Sequence, residues 1–267
     1  MRRSVTFTVA AAALMLAIGG ASAGDKVRIG TEGAYPPFNS IDSDGNLVGF
    51  DIDIANALCE AAQFDCEFVV QDWDGIIPGL IAKKYDAIIA SMSITEERRQ
   101  KVNFTDKYYS TPAKFIKAKS FDLEIPDDYA EANKTLSGMS VAVQRATIHE
   151  NFIRDNFPDL DVKVYATQDE ANLDLVNGRV DLVMADSVAL LDGFLNTDDG
   201  KDYEYVGPDY DEPKWHGDGA GIAIRKDEPD LVEKFNAAIK QILDNGTYKK
   251  INDKYFDFDV YGKPAEG

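Results

Sequence analysis

The sequence predicts an α/β fold of two lobes, each a mostly parallel sheet flanked by helices. Strand-like and helix-like segments alternate along the chain, and this alternation restarts near residue 138. Two segments also repeat one design, 84-KYDAIIASMS-93 and 179-RVDLVMADSV-188. In each, an Asp precedes four apolar residues and a polar residue follows at the expected carboxyl end of a strand. Two lobes of similar build are the simplest interpretation.

The first half of the chain begins with an expected strand over residues 27–30, which leads into the Gly- and Pro-rich loop 30-GTEGAYPPFN-39. Apolar residues at helical spacing predict a helix within 50–62. The next expected elements are a strand at 66–70, a short helix at 75–84, a buried strand at 85–91 and a helix at 95–102. Ser93 to Glu96 match a capping box that would start the last of these helices.

The second half repeats the order of strand, loop and helix over residues 138–157. A strand at 162–167, a helix at 168–179 and a strand at 180–187 are expected next. The tail from residue 230 to 256 predicts two helices interrupted at Asn245-Gly246. The chain is 45% hydrophobic, which is enough to fill a core in each lobe.

The first 23 residues have the three regions of a secretory signal peptide. Arg2 and Arg3 are followed by an apolar run and then by the small residues Ala21 to Ala23. We expect cleavage after about Ala23 and a periplasmic location. The net charge of −19 repels phosphates, so no nucleic-acid partner is expected.

Cys59 and Cys66 are the two cysteines of the chain. An even number of cysteines in an exported protein predicts a disulfide, here joining a helix to the following strand with a structural role. His149 and His216 lie far away in sequence, so we expect neither a metal nor a cofactor.

Ser91 and Ser93 follow the buried strand at 85–91. Ligands of open α/β sheets bind beyond the carboxyl ends of the strands, where helix N-termini present backbone N–H groups. Arg98 lies in the next helix near its N-terminus, where a cation is unfavourable to the helix dipole. An inward-facing Arg98 therefore predicts an anionic ligand group, bound by the guanidinium fork. The alternative is that Arg98 is solvated, like its neighbour Arg99.

The loop at 31–39 is expected at the same edge of the sheet, with the carboxylate of Glu32 and the ring of Tyr35. Trp73 lies on a further expected loop. Aromatic faces can pack on an alkyl or guanidinium chain, worth roughly 0.5 to 2 kcal/mol. Ordinary core packing is the alternative for both rings.

Residues 144–147 and Asp186 occupy the equivalent strand ends of the second lobe. A carboxylate at that position could hold a ligand ammonium. The alternative is that Asp186 caps a helix.

Five segments carry a resemblance to a known family: 30-GTEGAYPPF-38, 48-VGFDIDIANALC-59, 86-DAIIASMSITEERRQKVNFTDKYY-109, 217-GDGAGIAIRKD-227 and 246-GTYKKINDKYF-256. Together, in this order, they resemble the periplasmic solute-binding proteins of polar amino-acid ABC transporters, solute-binding protein family 3. The resemblance is to the lysine/arginine/ornithine and histidine branch, which also includes opine binders. It extends from about Val27 to Tyr261.

The resemblance implies the periplasmic-binding-protein, or Venus-flytrap, fold. Lobe I would comprise residues 24–113 and 211–267, lobe II would comprise residues 114–210, and two crossing segments would form the hinge. The cysteine pair of the family agrees with the disulfide expected above.

The resemblance also implies a role for each site residue. Arg98 would bind the ligand α-carboxylate with Thr147, and Asp186 would bind the α-ammonium. Glu32 would read a distal amine or guanidinium. The full expected set is Glu32, Tyr35, Trp73, Ser91, Met92, Ser93, Arg98, Gln144, Thr147 and Asp186.

The expected function is capture of a basic L-amino acid, namely arginine, ornithine, lysine or histidine, by hinge closure and its delivery to a membrane permease. The chain departs from relatives at Ala90, Met92 and Arg145-Ala146, which leaves an opine or a neutral amino acid open as ligand. A dehydratase-like enzyme on the same fold is the competing class. A sensory role through a chemoreceptor is a third hypothesis, and a monomer is expected.

Overall fold

The computed structural model describes residues 24–262, which form two lobes built on separate five-stranded sheets. The predicted signal peptide lies outside the described residues. Within residues 24–262, none of the helices combines the length and apolarity that crossing a membrane would take.

The first lobe begins with ten elements in chain order. They are β1 (Lys26–Thr31), β2 (Ala34–Tyr35), β3 (Asn39–Ile41), β4 (Leu47–Val48), α1 (Phe50–Ala62), β5 (Asp65–Val70), α2 (Trp73–Ile81), β6 (Ala87–Ile88), α3 (Glu96–Arg99) and β7 (Asn103–Tyr109).

The second lobe and the return of the chain follow. The elements are β8 (Ala113–Ala118), α4 (Tyr129–Leu136), β9 (Ser140–Gln144), α5 (Ile148–Asn156), β10 (Asp161–Tyr165), α6 (Gln168–Val176), β11 (Leu182–Asp186), α7 (Ser187–Leu190), a π-helical turn (Leu191–Leu195), β12 (Tyr203–Tyr210), α8 (Pro213–His216), β13 (Ala220–Ile224), α9 (Pro229–Asp244) and α10 (Thr247–Tyr255).

The two sheets share one topology. The first has the order β5-β1-β6-β13-β7 and the second has the order β10-β9-β11-β8-β12. In each sheet, the fourth strand in this order is antiparallel to its neighbours, β13 in the first and β8 in the second. The remaining strands of each sheet run in one direction. The α/β fold of two mostly parallel sheets is thereby confirmed, and β8 and β13 are the strands that follow the two crossings between the lobes.

Apolar clusters lie on both faces of each sheet. In the first lobe, α1 buries Phe50, Ile54 and Leu58 in the cluster that also contains Phe235 of α9. The opposite face packs α2 against β6. A sheet covered on both faces needs apolar residues on both sides of its strands, which explains the continuous apolar run at residues 87–90.

The expected disulfide is present. Cys59 near the end of α1 is bonded to Cys66 in β5, with their Cα atoms 6.2 Å apart. It joins the helix to the strand that follows it, at an edge of the first sheet.

Two local expectations are wrong. The expected capping box at Ser93 does not form, because Ser93 bridges to Ala220 and the hydroxyl of Thr95 instead caps α3, accepting from the N–H of Arg98 at 3.3 Å. Trp73 begins helix α2 rather than lying on a loop.

Candidate functional site

Two small adjoining cavities lie between the lobes, at the carboxyl ends of β1, β6, β9 and β11. The first cavity is lined by eight of the ten residues expected at the site: Glu32, Tyr35, Trp73, Ser91, Ser93, Arg98, Gln144 and Thr147. The second cavity shares Tyr35, Ser91 and Ser93 with the first and adds Asp186 and both crossing segments. Met92 is fully buried in an apolar cluster of the first lobe and lines neither cavity.

Arg98 is a buried cation at the wall of the first cavity, with 8% of its surface exposed. Its Nη1 donates to the carbonyl of Ser93 at 3.0 Å, and its guanidinium carbon lies 5.2 Å from the ring centroid of Trp73. Burial lowers the pKa of Arg98 to about 10, so the group is still cationic at neutral pH. Within residues 24–262 no carboxylate forms an ion pair with Arg98. The neighbouring carboxylate of Glu97 pairs with Lys101. A buried cation without a counter-ion favours an anionic ligand group.

Glu32 is a buried carboxylate at the other end of the first cavity. Burial raises the pKa of Glu32 to about 7, and nearby acids including Asp72 add to this effect. A side-chain hydrogen bond from Nε2 of Gln144 opposes the increase. Among the described residues no cation pairs with Glu32. A cationic ligand group placed there would stabilise the ionised carboxylate.

The two aromatic residues of the first cavity also bond to the opposite lobe. The indole N–H of Trp73 donates to the carbonyl of Ala146 at 3.1 Å. The hydroxyl of Tyr35 accepts from the backbone N–H of Asp186 at 3.4 Å. Both rings therefore combine an apolar face with a hydrogen bond that spans the cleft between the lobes.

Asp186 caps helix α7, so the helix-cap interpretation of this residue is realised in the fold. Its Oδ1 accepts from the backbone N–H groups of Val188 and Ala189 at 2.8 and 3.2 Å, and its Oδ2 accepts from the hydroxyl of Thr111. Burial raises the pKa of Asp186 to about 6. In the described part of the chain Asp186 has no cationic partner. Because it also lines the second cavity, its role as a helix cap is compatible with binding a ligand ammonium there.

The hydroxyls of Ser91 and Thr147 have partners within the protein. Ser91 Oγ donates to the carboxylate of Asp51 at 2.9 Å. Thr147 Oγ1 donates to the carbonyl of Gln144 at 2.7 Å and caps α5 by accepting from the N–H of Glu150. These residues shape the cavity wall, and Ile148 and His149 at the start of α5 line the same cavity as Arg98.

One ion pair and one hydrogen bond between charged or polar side chains also join the lobes. Arg145 Nε lies 3.3 Å from Asp74 Oδ2, so this cation faces the other lobe rather than solvent alone. Nδ2 of Asn151 donates to Glu97 at 3.4 Å. The lobes are therefore joined by several separate polar contacts across the cleft.

Three buried titratable residues near the cavities were not predicted as site residues. Asp51 lies behind Ser91. His149 and His216 line the second cavity with ring centroids 6.3 Å apart. Burial, together with the nearby His216 and Arg98, lowers the pKa of His149 to about 3. No spacing motif connects these residues, so only the folded chain reveals them.

Nδ1 of His149 and both ring nitrogens of His216 are buried and have no hydrogen-bond partner among the described residues. Polar atoms of this kind normally bond to water or to a ligand when protein partners are lacking. The same part of the chain has no group of three or more His, Cys, Asp or Glu side chains able to hold a metal ion.

The chain matches a known family over nearly all of its described length. Residues 27–258 match the model of the bacterial extracellular solute-binding proteins, family 3. The L-arginine-binding protein of Pseudomonas aeruginosa is 49% identical over 243 residues, which cover 90% of this chain and 92% of the relative. The lysine/arginine/ornithine-binding periplasmic protein of Escherichia coli is 41% identical, covering 89% of this chain and 90% of the relative.

Solved structures agree with the fold. A Salmonella typhimurium periplasmic binding protein with high arginine specificity has a TM-score of 0.78 at 32% identity, covering 87% of this chain and 100% of that one. An ancestral amino acid-binding protein, a precursor of cyclohexadienyl dehydratase, has a TM-score of 0.76 at 32% identity, covering 87% and 96%.

Proposed function

Because the chain belongs to the bacterial extracellular solute-binding proteins of family 3, we propose that it is the extracytoplasmic substrate-binding component of an ABC importer. Its substrate is a basic L-amino acid such as arginine, ornithine, lysine or histidine. One observation carries the choice of ligand. The cavities hold one buried cation, Arg98, and two buried carboxylates, Glu32 and Asp186, and none of the three has a counter-ion in the described chain. An amino acid with a cationic side chain has one negative and two positive groups, which is the complementary pattern.

Each ligand group then has a partner. Arg98 binds the α-carboxylate in a bidentate fashion, assisted by backbone N–H groups near Thr147. Asp186 binds the α-ammonium, with Ser91 and Ser93 nearby. The ligand side chain extends between the rings of Tyr35 and Trp73 towards Glu32, which Gln144 supports.

Hinge closure couples binding to transport. We place the lobe boundaries at 113/114 and 210/211, next to the two segments in which the chain crosses between the sheets. Ligand bound to the first lobe recruits the second, and the contacts of Trp73 and Gln144 across the cleft form on closure. Only the closed, loaded form docks productively on the membrane permease.

The periplasm is the expected compartment, and the working form is a monomer. A loaded clamp presents one surface formed by both lobes, and a chemoreceptor could read this surface as the permease does.

A thermal-shift screen of the mature protein, refolded to remove co-purified solute, tests the ligand. The set comprises the twenty amino acids, ornithine, citrulline and opines. A ligand at 100 times its Kd adds about 2.7 kcal/mol of stability. Shifts confined to cationic amino acids are the expected result. Shifts only with acidic or neutral amino acids would discard the basic ligand and keep the clamp.

An enzyme on this fold is the second candidate function. One observation favours it, since a buried Glu32 with a pKa of about 7 suits a general acid at neutral pH. Turnover of a cyclohexadienyl acid, together with no thermal shift from any amino acid or opine, would replace the transport proposal with this one.

A further inference from the structure

Asp51 is a carboxylate with no exposed surface, and it lines neither cavity. It lies in the first turn of α1, where acidic side chains usually face solvent or cap the helix. Among the described residues no cation forms an ion pair with it. A buried, unpaired carboxylate is costly unless several donors satisfy it.

Three side chains supply those donors. Nδ2 of Asn39 and Oγ of Ser91 donate to Oδ2 of Asp51 at 2.8 and 2.9 Å. The hydroxyl of Tyr108 donates to Oδ1 at 2.8 Å. The donors come from three separate segments of the first lobe, and only the folded chain brings them to one carboxylate.

Ser91 is held in an uncommon backbone conformation by this group. Its φ of 54° lies in the left-handed region, which serine rarely adopts. Its N–H donates to the hydroxyl of Tyr108 at 2.9 Å, and the same hydroxyl donates to Asp51. Asp51 therefore holds Ser91 by two routes, a direct hydrogen bond to its hydroxyl and a pair of hydrogen bonds through Tyr108 to its N–H.

Asn39 extends the same network to the loop that carries the expected ligand contacts. Its Oδ1 accepts from the backbone N–H of Gly33 at 2.8 Å. Gly33 lies between Glu32 and the short strand that contains Tyr35. One carboxylate thus anchors both ligand-facing segments of the first lobe.

We propose that Asp51 is a positioning residue for ligand binding, which holds Ser91 and the loop of Glu32 and Tyr35 in one fixed relation. The inference rests on the proposed function, because it assigns these two segments to one ligand. An acceptor-only side chain is required, since each of the three neighbours donates to it. An amide at this position would turn N–H donors towards at least one of those donors.

The test compares Asp51→Asn with Asp53→Asn on the same helix. Asp53 is a matched control because it pairs with Lys254 and Tyr255 away from the cavities. We expect Asp51→Asn to weaken arginine binding about tenfold in titration calorimetry, the loss typical of one misplaced charged hydrogen bond. Asp53→Asn should bind as the wild type does.

A double-mutant cycle with Ser91→Ala separates positioning from a general loss of stability. Ser91→Ala removes only the direct bond to Asp51, and the routes through Asn39 and Tyr108 remain. The double variant should therefore bind arginine less tightly than Ser91→Ala alone, but by less than the product of the two single losses. Independent, multiplying losses would contradict the inference, as would a folded Asp51→Asn variant with wild-type affinity.

If Asp51→Asn does not fold, Tyr108→Phe replaces it, because this variant removes one donor and keeps the ring. Weaker arginine binding by folded Tyr108→Phe supports the inference, and unchanged binding overturns it. The amide chemical shift of Ser91 in the unliganded protein provides a readout that does not depend on the ligand. A wild type that binds no amino acid would refute the proposed function, whereas an unmoved Ser91 amide in the folded variant would refute the positioning role alone.

Discussion

At the scale of single residues, Arg98 shows how a side chain placed for ligand binding can lower the stability of the unliganded protein. The side chain is buried and has no carboxylate partner in residues 24–262, so the folded protein bears a desolvation cost that a ligand carboxylate would relieve. We expect Arg98→Met to abolish amino-acid binding, a loss of about 2 to 5 kcal/mol. The thermal midpoint of the unliganded protein should stay equal or rise.

The control for this variant is Arg99→Met. Arg99 is exposed and lies 3.5 Å from Asp218, so its removal should change neither binding nor stability appreciably. Scanning calorimetry of both variants without arginine measures stability, and titration of each with arginine measures binding. A large fall in the midpoint of Arg98→Met would mean that Arg98 is mainly structural.

Glu32 links ligand binding to pH. Burial raises its pKa from 4.5 to about 7, so the folded protein binds this proton more tightly than the unfolded chain does. The stability from this group is fully present below pH 4.5 and is lost as pH rises through 7. A cationic ligand beside Glu32 favours the ionised form, so arginine binding near pH 6.5 should release a proton.

Titration calorimetry in two buffers of different ionisation enthalpy measures this proton. We expect Glu32→Gln to reduce the release and to shift the preference from lysine towards glutamine. Asp186 and Asp51, whose pKa values burial raises to about 6, are retained in both proteins, so the difference belongs to Glu32. An unchanged preference for lysine over glutamine would show that Glu32 does not select the ligand.

The sequence pointed to Arg98 because a cation near a helix N-terminus is unfavourable to the helix dipole. It pointed to Asp186 and Glu32 because both lie at the edge of a sheet where ligands bind, and the family resemblance implied the role of Glu32. It could not point to Asp51, since an acid in the first turn of a helix normally indicates a favourable helix dipole and exposure to water. The sequence did not point to His149 either, because its burial is not visible in the local pattern. Its burial depends on α8, which packs against α5 only in the folded chain.

At the scale of elements, the start of α2 in one lobe bonds to the loop before α5 in the other. The indole N–H of Trp73 donates to the carbonyl of Ala146. Trp73→Phe keeps an aromatic ring beside the ligand and removes this donor. Because one such bond is worth about 0.5 to 1.5 kcal/mol, we expect arginine to dissociate roughly 2 to 10 times faster with little change in association rate.

Stopped-flow fluorescence measures both rates, and Trp215→Phe is the matched control. This indole lies on the wider cleft that also contains Trp73, but it lines neither cavity, and within residues 24–262 it makes no hydrogen bond to the other lobe. A slower association rate in Trp73→Phe with unchanged dissociation would assign Trp73 to initial capture rather than to holding the clamp closed.

Element prediction succeeded where helical or strand periodicity was strong. The helix expected at 50–62 matches α1, and the break at Asn245-Gly246 separates α9 from α10. Strands β7, β8, β12 and β13 were not expected, because three of them lie in or beside polar, turn-rich segments. Their partners are distant in sequence, so their pairing is decided by the sheet rather than by local propensity.

At the scale of the whole molecule, the acidic surface should speed the arrival of cationic ligands. The net charge of −19 creates a negative potential that salt screens with a Debye length of about 10 Å at 0.1 M. We expect the association rate of arginine to fall as NaCl is raised. Glutamine, which is neutral overall, is the control ligand and should show little change. Equal salt dependence for both ligands would exclude steering by net charge.

The place of β13 in the first sheet also sets the order in which the protein can assemble during synthesis. All five strands of the second sheet lie between Ala113 and Tyr210, so that sheet can form as soon as this segment has been made. In the first sheet, β6 and β7 remain separated until Ala220–Ile224 inserts between them. We therefore expect a chain truncated before residue 220 to form a complete second sheet and to leave an open gap in the first, which chaperones and proteases can recognise.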